Sequence, residues 1–300
     1  AGRAARPRAS TCTGGPGGPG GPGRSARSPR GAAGNGGLGG GGSAGAGGSP
    51  GGASGAAGTA GTAGTAGAGG GAGAGGSTGN SSKLVLLYHF STLAIASVPE
   101  QLSVLSAQLQ AWGYEVEESD DPADINPTKL ASVRGVGMIN TCFEPFGKGS
   151  AGTSQSTALD AFVRAGGALF GTHCAAVTYQ TASPPHPYNE VIGGRGGDGY
   201  FDGTSACRTL EAHPSTMLLP TTFDYVGNLD NADFLAEDTQ VLVRCRWSGG
   251  AQKDVAVSWS RTPGQGRVFY TNFAKEAADL KDATLGQKHI LAGLSWALGR

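Results

Sequence analysis

Apolar and polar positions follow two different periods over the second part of the chain, and the changes of period lay out its elements. Leu84-Val-Leu-Leu-Tyr88 is a short unbroken apolar run, suited to a strand buried on both faces. Pro99-Glu100 then opens a helix that carries Leu102, Leu105, Leu109 and Trp112 at three- and four-residue spacing, and Gly113 ends it. Tyr114–Glu117 reads as a second strand, Pro127 to Val133 as a short helix, and Gly135–Asn140 as a third strand. Ser154–Ala165 places Leu159, Phe162 and Val163 on one helical face, and Gly166-Gly167 stop that helix because glycine takes the left-handed cap at little cost. Ala168-Leu-Phe170 is a fourth buried strand. Gly171 frees the backbone to turn, which leaves Thr172, His173 and Cys174 at that strand's carboxyl end.

Past Ala176 the pattern changes to a Pro- and Gly-rich loop, Ser183–Pro187 and Gly193–Gly197. Strands are predicted over Thr204–Ala212, Gln240–Trp247, Val255–Trp259 and Arg267–Thr271, and Thr284–Leu298 reads as a closing amphipathic helix. Strand alternating with helix in the first half implies an α/β fold: a flavodoxin-like parallel sheet with helices on both faces and later antiparallel strands.

Composition adds a boundary. Residues 1–82 hold 33 of the 56 glycines, no acidic or aromatic residue, and one large aliphatic, Leu38. Such a stretch buries too little apolar surface to offset backbone ordering, so it is expected to be a disordered Gly/Ala/Ser/Pro tether ahead of one domain at 83–300. Charge is equally uneven. The chain is neutral overall, yet the tail carries six arginines and no acids, leaving the domain 16 basic against 22 acidic residues. A mildly acidic domain without a basic stripe argues against nucleic acid as a partner. No apolar run approaches the ~20 residues of a membrane helix. The tail is read as a solubilising segment and a possible surface tether, and with four domain cysteines it fits a bacterial protein that is exported or held in the cell envelope.

The chemistry gathers at one turn. In an open α/β sheet the carboxyl ends of the strands collect ligands, and there His173 and Cys174 stand side by side. His173 either binds or protonates a polar ligand or only completes the turn by bonding a neighbouring loop. Cys174 has three readings: a nucleophile activated by a helix start, a buried thiol, or a disulfide partner of Cys142, which ends the neighbouring strand. Cys207 and Cys245 fall in two later strands and could pair likewise. His213, followed by Pro214, either points into the same cleft or simply ends a strand. Glu144 and Lys148 lie in the loop after the third strand, which makes Glu144 a reserve carboxylate. Gly193–Gly199 lacks the strand-then-helix context of a phosphate loop, so none is assigned. No HxH or HxxxH spacing occurs, His186 and His289 read as structural, and neither metal nor cofactor is expected.

The same residues carry a family resemblance. Gly171-Thr-His-Cys-Ala-Ala176 resembles the Gly-Ile-His-Ala-Ala segment of ThuA-like (trehalose-utilisation) proteins, relatives of the class I glutamine amidotransferase fold. His213-Pro-Ser-Thr216 with Leu218-Leu-Pro220, Gly266-Arg-Val-Phe-Tyr-Thr271 and Gly293-Leu-Ser-Trp-Ala-Leu-Gly299 resemble further family segments in the right order. The resemblance implies a small polar, carbohydrate-related ligand and a polar site. Of that site, His173, His213, Ser97 and Asp230 remain, while Ile95 stands where the family has a histidine and His89 lies just upstream as a substitute. The family's late Gly-His pair reads Asn272-Phe273 here. The resemblance also places His173 where amidotransferases carry their nucleophilic cysteine. Two other readings stay open: a non-catalytic exported binding or structural module, and a hydrolase or amidotransferase that uses Cys174.

Overall fold

The computed structural model describes residues 81–90, 97–148, 152–247 and 253–300. Nine strands lie within them: β1 (Leu84–His89), β2 (Glu115–Ser119), β3 (Gly135–Ile139), β4 (Ala168–Thr172), β5 (Gly194–Thr209), β6 (Thr222–Leu235), β7 (Gln240–Trp247), β8 (Asp254–Arg261) and β9 (Arg267–Thr271). They form a single sheet in the order β2-β1-β3-β4-β9-β8-β7-β5-β6. The first five strands of that order run parallel, and the rest are joined by antiparallel pairings. The parallel half has the flavodoxin-like strand order expected of the fold.

The helices are α1 (Val98–Ala111), α2 (Pro127–Leu130), α3 (Thr153–Arg164), α4 (Pro187–Ile192), α5 (Ala277–Lys281) and α6 (Leu291–Leu298). Strand side chains alternate between two cores. Val85, Leu87, Phe170 and Phe269 face the α1 and α6 side, while Leu86, Tyr88, Leu169 and Tyr270 face α2, α3 and α4. A parallel strand covered on both faces must be apolar throughout, which is why β1 and β4 read as unbroken runs.

Several expectations change. The predicted tether over 1–82 lies outside the described residues apart from Ser81 and Ser82, and the Ser82 hydroxyl already donates to the Ser132 carbonyl at 2.5 Å. Ile95 also lies outside them. The stretch expected as a Pro- and Gly-rich loop contains α4 and the first residues of β5, a strand reaching back to Gly194. β6 and α5 had no counterpart in the sequence reading. β6 is an edge strand with only four of its fourteen residues buried, so it tolerates Asp, Asn and Gly where a central strand would need apolar residues.

Glycine explains how β5 fits. A Cβ at Gly196 would sit 2.9 Å from the Val177 side chain and 3.4 Å from the Ala176 carbonyl, so the bare backbone lets β5 pass close over the turn after β4. The β5–β6 pairing shifts register between Arg195 and Tyr200, and this irregular stretch overhangs the carboxyl edge of the parallel sheet.

Candidate ligand site at the carboxyl edge of the sheet

β4 ends in Thr172, and the next residue, His173, takes φ of +43° before a single 3-10 turn over His173–Ala176. A non-glycine residue in this region is strained, and such residues gather where a site over-determines them. Among the described residues four others do the same: Asn140 and Phe143 after β3, Tyr179 just beyond the turn, and Ala274 after β9. The Tyr270 hydroxyl donates to the His173 carbonyl at 2.6 Å and holds the strained peptide.

The His173 ring is oriented by oxygens. Its Nδ1 lies 3.3 Å from both the carbonyl and the side-chain oxygen of Asn272, and 3.7 Å from Asp230 Oδ2. The Asn272 amide is pinned in turn, since its Oδ1 accepts from the Asp230 backbone N–H and its Nδ2 donates to the Asp230 carbonyl. All the groups facing Nδ1 are acceptors, so in the neutral ring Nδ1 carries the proton and Nε2 is the basic nitrogen.

Asp230 is the second member. Its Oδ2 is buried and has no hydrogen-bond partner among the described residues. Burial pushes its carboxyl above the usual carboxylate range, and His173 and Lys275 partly oppose that rise. A buried acceptor left without a donor costs ~1–3 kcal/mol, so the fold tolerates a real expense at this position.

His173 and Asp230 line a cleft of about 720 Å³ together with Phe143, Gln180, Tyr200, Asp202, Asn228, Lys275 and Glu276. The sequence reading missed most of these. Tyr200, Asp202 and Asn228 are brought in by the β5–β6 overhang, which no local pattern announces, and Tyr200 is 67% exposed with its ring at the rim.

Of the other expected site residues only Cys174 also lines this cleft, and the rest fall elsewhere. Cys174 is bonded to Cys142, so it is no nucleophile in this state: its sulfur has no free electron pair of a thiolate to offer. Cys207 and Cys245 are bonded across β5 and β7. His213 does not reach the cleft. It packs edge-on to Trp296 and parallel to Phe269 on the α6 side, and burial pulls its pKa down to about 4. Ser97 acts indirectly: its hydroxyl donates to the Lys275 carbonyl at 2.7 Å and, with Gln101 and Asn140, holds the 274–276 loop in place. His89 ends β1 and is not among the cleft's lining residues, and Glu144 lines a neighbouring hollow instead. Among the described residues no group of three or more His, Cys, Asp or Glu side chains is placed to hold a metal ion.

A family model described as trehalose utilisation, ThuA, matches residues 84–297. The chain belongs to the ThuA family. Among solved structures, a ThuA-like protein from Bacteroides uniformis superposes with TM-score 0.58 at 16% identity, covering 72% of this chain and 91% of that one. A ThuA-like protein from Parabacteroides merdae gives TM-score 0.51 at 15% identity, covering 72% and 89%. At such identities these likenesses establish the fold that this ThuA-family member shares with them. No curated protein matches the chain. Among the described residues no helix is long and apolar enough to cross a membrane. Two disulfides fit a location outside the reducing cytosol.

Proposed function

We propose that this ThuA-family domain binds a small polyhydroxylated ligand, carbohydrate-related in class, in the cleft beside His173. One observation carries the reading: a histidine on a strained elbow turns Nδ1 to fixed acceptors and a buried carboxylate, leaving Nε2 as hydrogen-bond partner for a ligand. Asp202, Asn228, Lys275 and Glu276 supply donors and acceptors for several hydroxyls, and the Tyr200 ring supplies an apolar face. A ring of hydroxyls with apolar faces is the chemistry that such a mixed lining recognises. The domain acts outside the cytoplasm, where its disulfides persist, with residues 1–82 as the tether that spaces it from a surface.

A thermal-shift screen of the full chain against neutral sugars tests this. Binding raises the melting temperature by several degrees at saturating sugar, and His173→Ala removes most of the shift. No shift with any sugar, or an undiminished shift in His173→Ala, overturns it.

A second reading, turnover with His173 as general base, is favoured by the His173–Asp230 pair. In it Nε2 takes a proton from a ligand hydroxyl while Asp230 stabilises the charged ring. His173→Ala would then lower the turnover of a bound sugar ~100-fold or more while weakening its binding far less. Equal losses of both would leave binding alone.

A further inference from the structure

A second hollow of about 680 Å³ adjoins the His173 cleft, and Phe143 and Gln180 line both. Its other walls include Phe90, Glu144, Lys148 and Tyr179. Phe90 follows β1 and Glu144 follows β3, so the hollow stands over the gap between those strands. That gap has a special place in this topology. β2 lies on one side of β1 while β3, β4 and β9 follow on the other, so the chain's connections leave in opposite directions from the two sides of this point. Loops that diverge there open a crevice, and in open α/β sheets ligands lie in it. The His173 cleft sits further along the same edge, over β4 and β9.

The two hollows are held in one frame. Cys142 precedes Phe143 and is bonded to Cys174, which follows His173. The Tyr179 backbone N–H donates to the Phe143 carbonyl at 2.6 Å, which ties the floor of the second hollow to the loop that divides it from the first. Each volume alone lies in the range of ~300–1,000 Å³ that holds an ordinary small ligand, so a single sugar ring at His173 leaves the second hollow empty. Its mixture of aromatic walls with Glu144, Lys148, Gln180 and Thr181 repeats the chemistry of the first.

From this continuity we infer that the ligand is an oligosaccharide, with one sugar unit at His173 and at least one more in the crevice between β1 and β3 across Phe143 and Gln180. The inference rests on the carbohydrate reading above and deepens it. Glu144 then has a role after all, in the adjoining subsite, as a hydrogen-bonding carboxylate for the second unit's hydroxyls.

Isothermal titration of the full chain with glucose, galactose and mannose, and with their linked dimers to tetramers, tests the inference. The expected result is at least a tenfold gain in affinity from one unit to two or more. Glu144→Gln and the exposed Lys148→Ala should each remove much of that gain and leave single-unit affinity unchanged, whereas His173→Ala weakens both. Single sugars that bind with no gain on lengthening overturn the second subsite alone, as does a gain that both crevice variants leave intact. Absence of binding by every sugar tested, at every length, overturns the carbohydrate reading and this inference with it.

Discussion

Cys142 and Cys174 are bonded to each other across adjacent strands, with their Cα atoms 4.9 Å apart, and each is the immediate neighbour of a cleft residue in strained backbone. The bridge therefore fastens Phe143 to His173. It also separates two residues that look like one reactive dyad in the sequence, because bridging removes the thiol and leaves the imidazole.

Alkylation under denaturing conditions should leave the peptides of Cys142, Cys174, Cys207 and Cys245 unlabelled until reductant is added. The bridges close loops with sequence separations of 32 and 38 residues, worth about 3–4 kcal/mol each in chain entropy. Replacing Cys207 and Cys245 with alanine should cost stability in denaturant melts without touching ligand affinity. Replacing Cys142 and Cys174 should cost both.

Asp230→Asn should stabilise the fold at pH 7 by about 1 kcal/mol while weakening ligand binding, since it relieves a buried carboxylate whose Oδ2 accepts no hydrogen bond among the described residues. The sign follows from proton uptake. Burial raises the folded pKa above the ordinary 3.8, so the native state holds the proton longer, and stability is lost as pH rises from there through the raised value. The advantage of the variant should shrink as pH is lowered towards 4. Urea midpoints of both proteins from pH 4 to 8 check it, and an advantage that does not change with pH would exclude the titration.

His289 predicts the opposite slope. It is buried, bonded to the Ser215 carbonyl at 2.9 Å and to Thr271 at 3.2 Å, and burial lowers its pKa to about 4. The unfolded chain takes up a proton near 6.5 and the native state does not, so stability is present above 6.5 and is lost as pH falls towards 4. The loss from this one group is on the order of 3 kcal/mol. His289→Gln should be less stable at pH 7 by about 1–2 kcal/mol, yet lose less on acidification than the wild type.

Gly293→Ala should destabilise by about 1–3 kcal/mol through overpacking, because the new Cβ would stand 2.2 Å from the Phe269 ring. Phe269 lies in β9 and Gly293 in α6, so the glycine sets how closely that helix approaches the sheet. A thermal melt suffices, and an unchanged midpoint would show that α6 shifts freely.

The sequence by itself determined the parallel half of the fold. Strands buried on both faces must be continuous apolar runs, and helices packed on them must repeat at three and four residues, so β1, β3, β4, α1 and α3 were legible from local pattern. It also placed a turn after the fourth buried run, but Gly171 stays inside β4 and the bend is made at His173, whose positive φ the surrounding contacts hold. β6, α4 and the glycine-rich start of β5 were not legible. Edge strands and short helices draw their stability from what they pack against, and a glycine needed for close approach looks in sequence like a loop glycine. The site divides the same way. His173 was visible because the turn it occupies follows directly from the buried run before it. Its pairing with Asp230, the bridging of Cys174, and the exclusion of His213, His89 and Glu144 from the cleft depend on which strands become neighbours, and only the tertiary structure decides that.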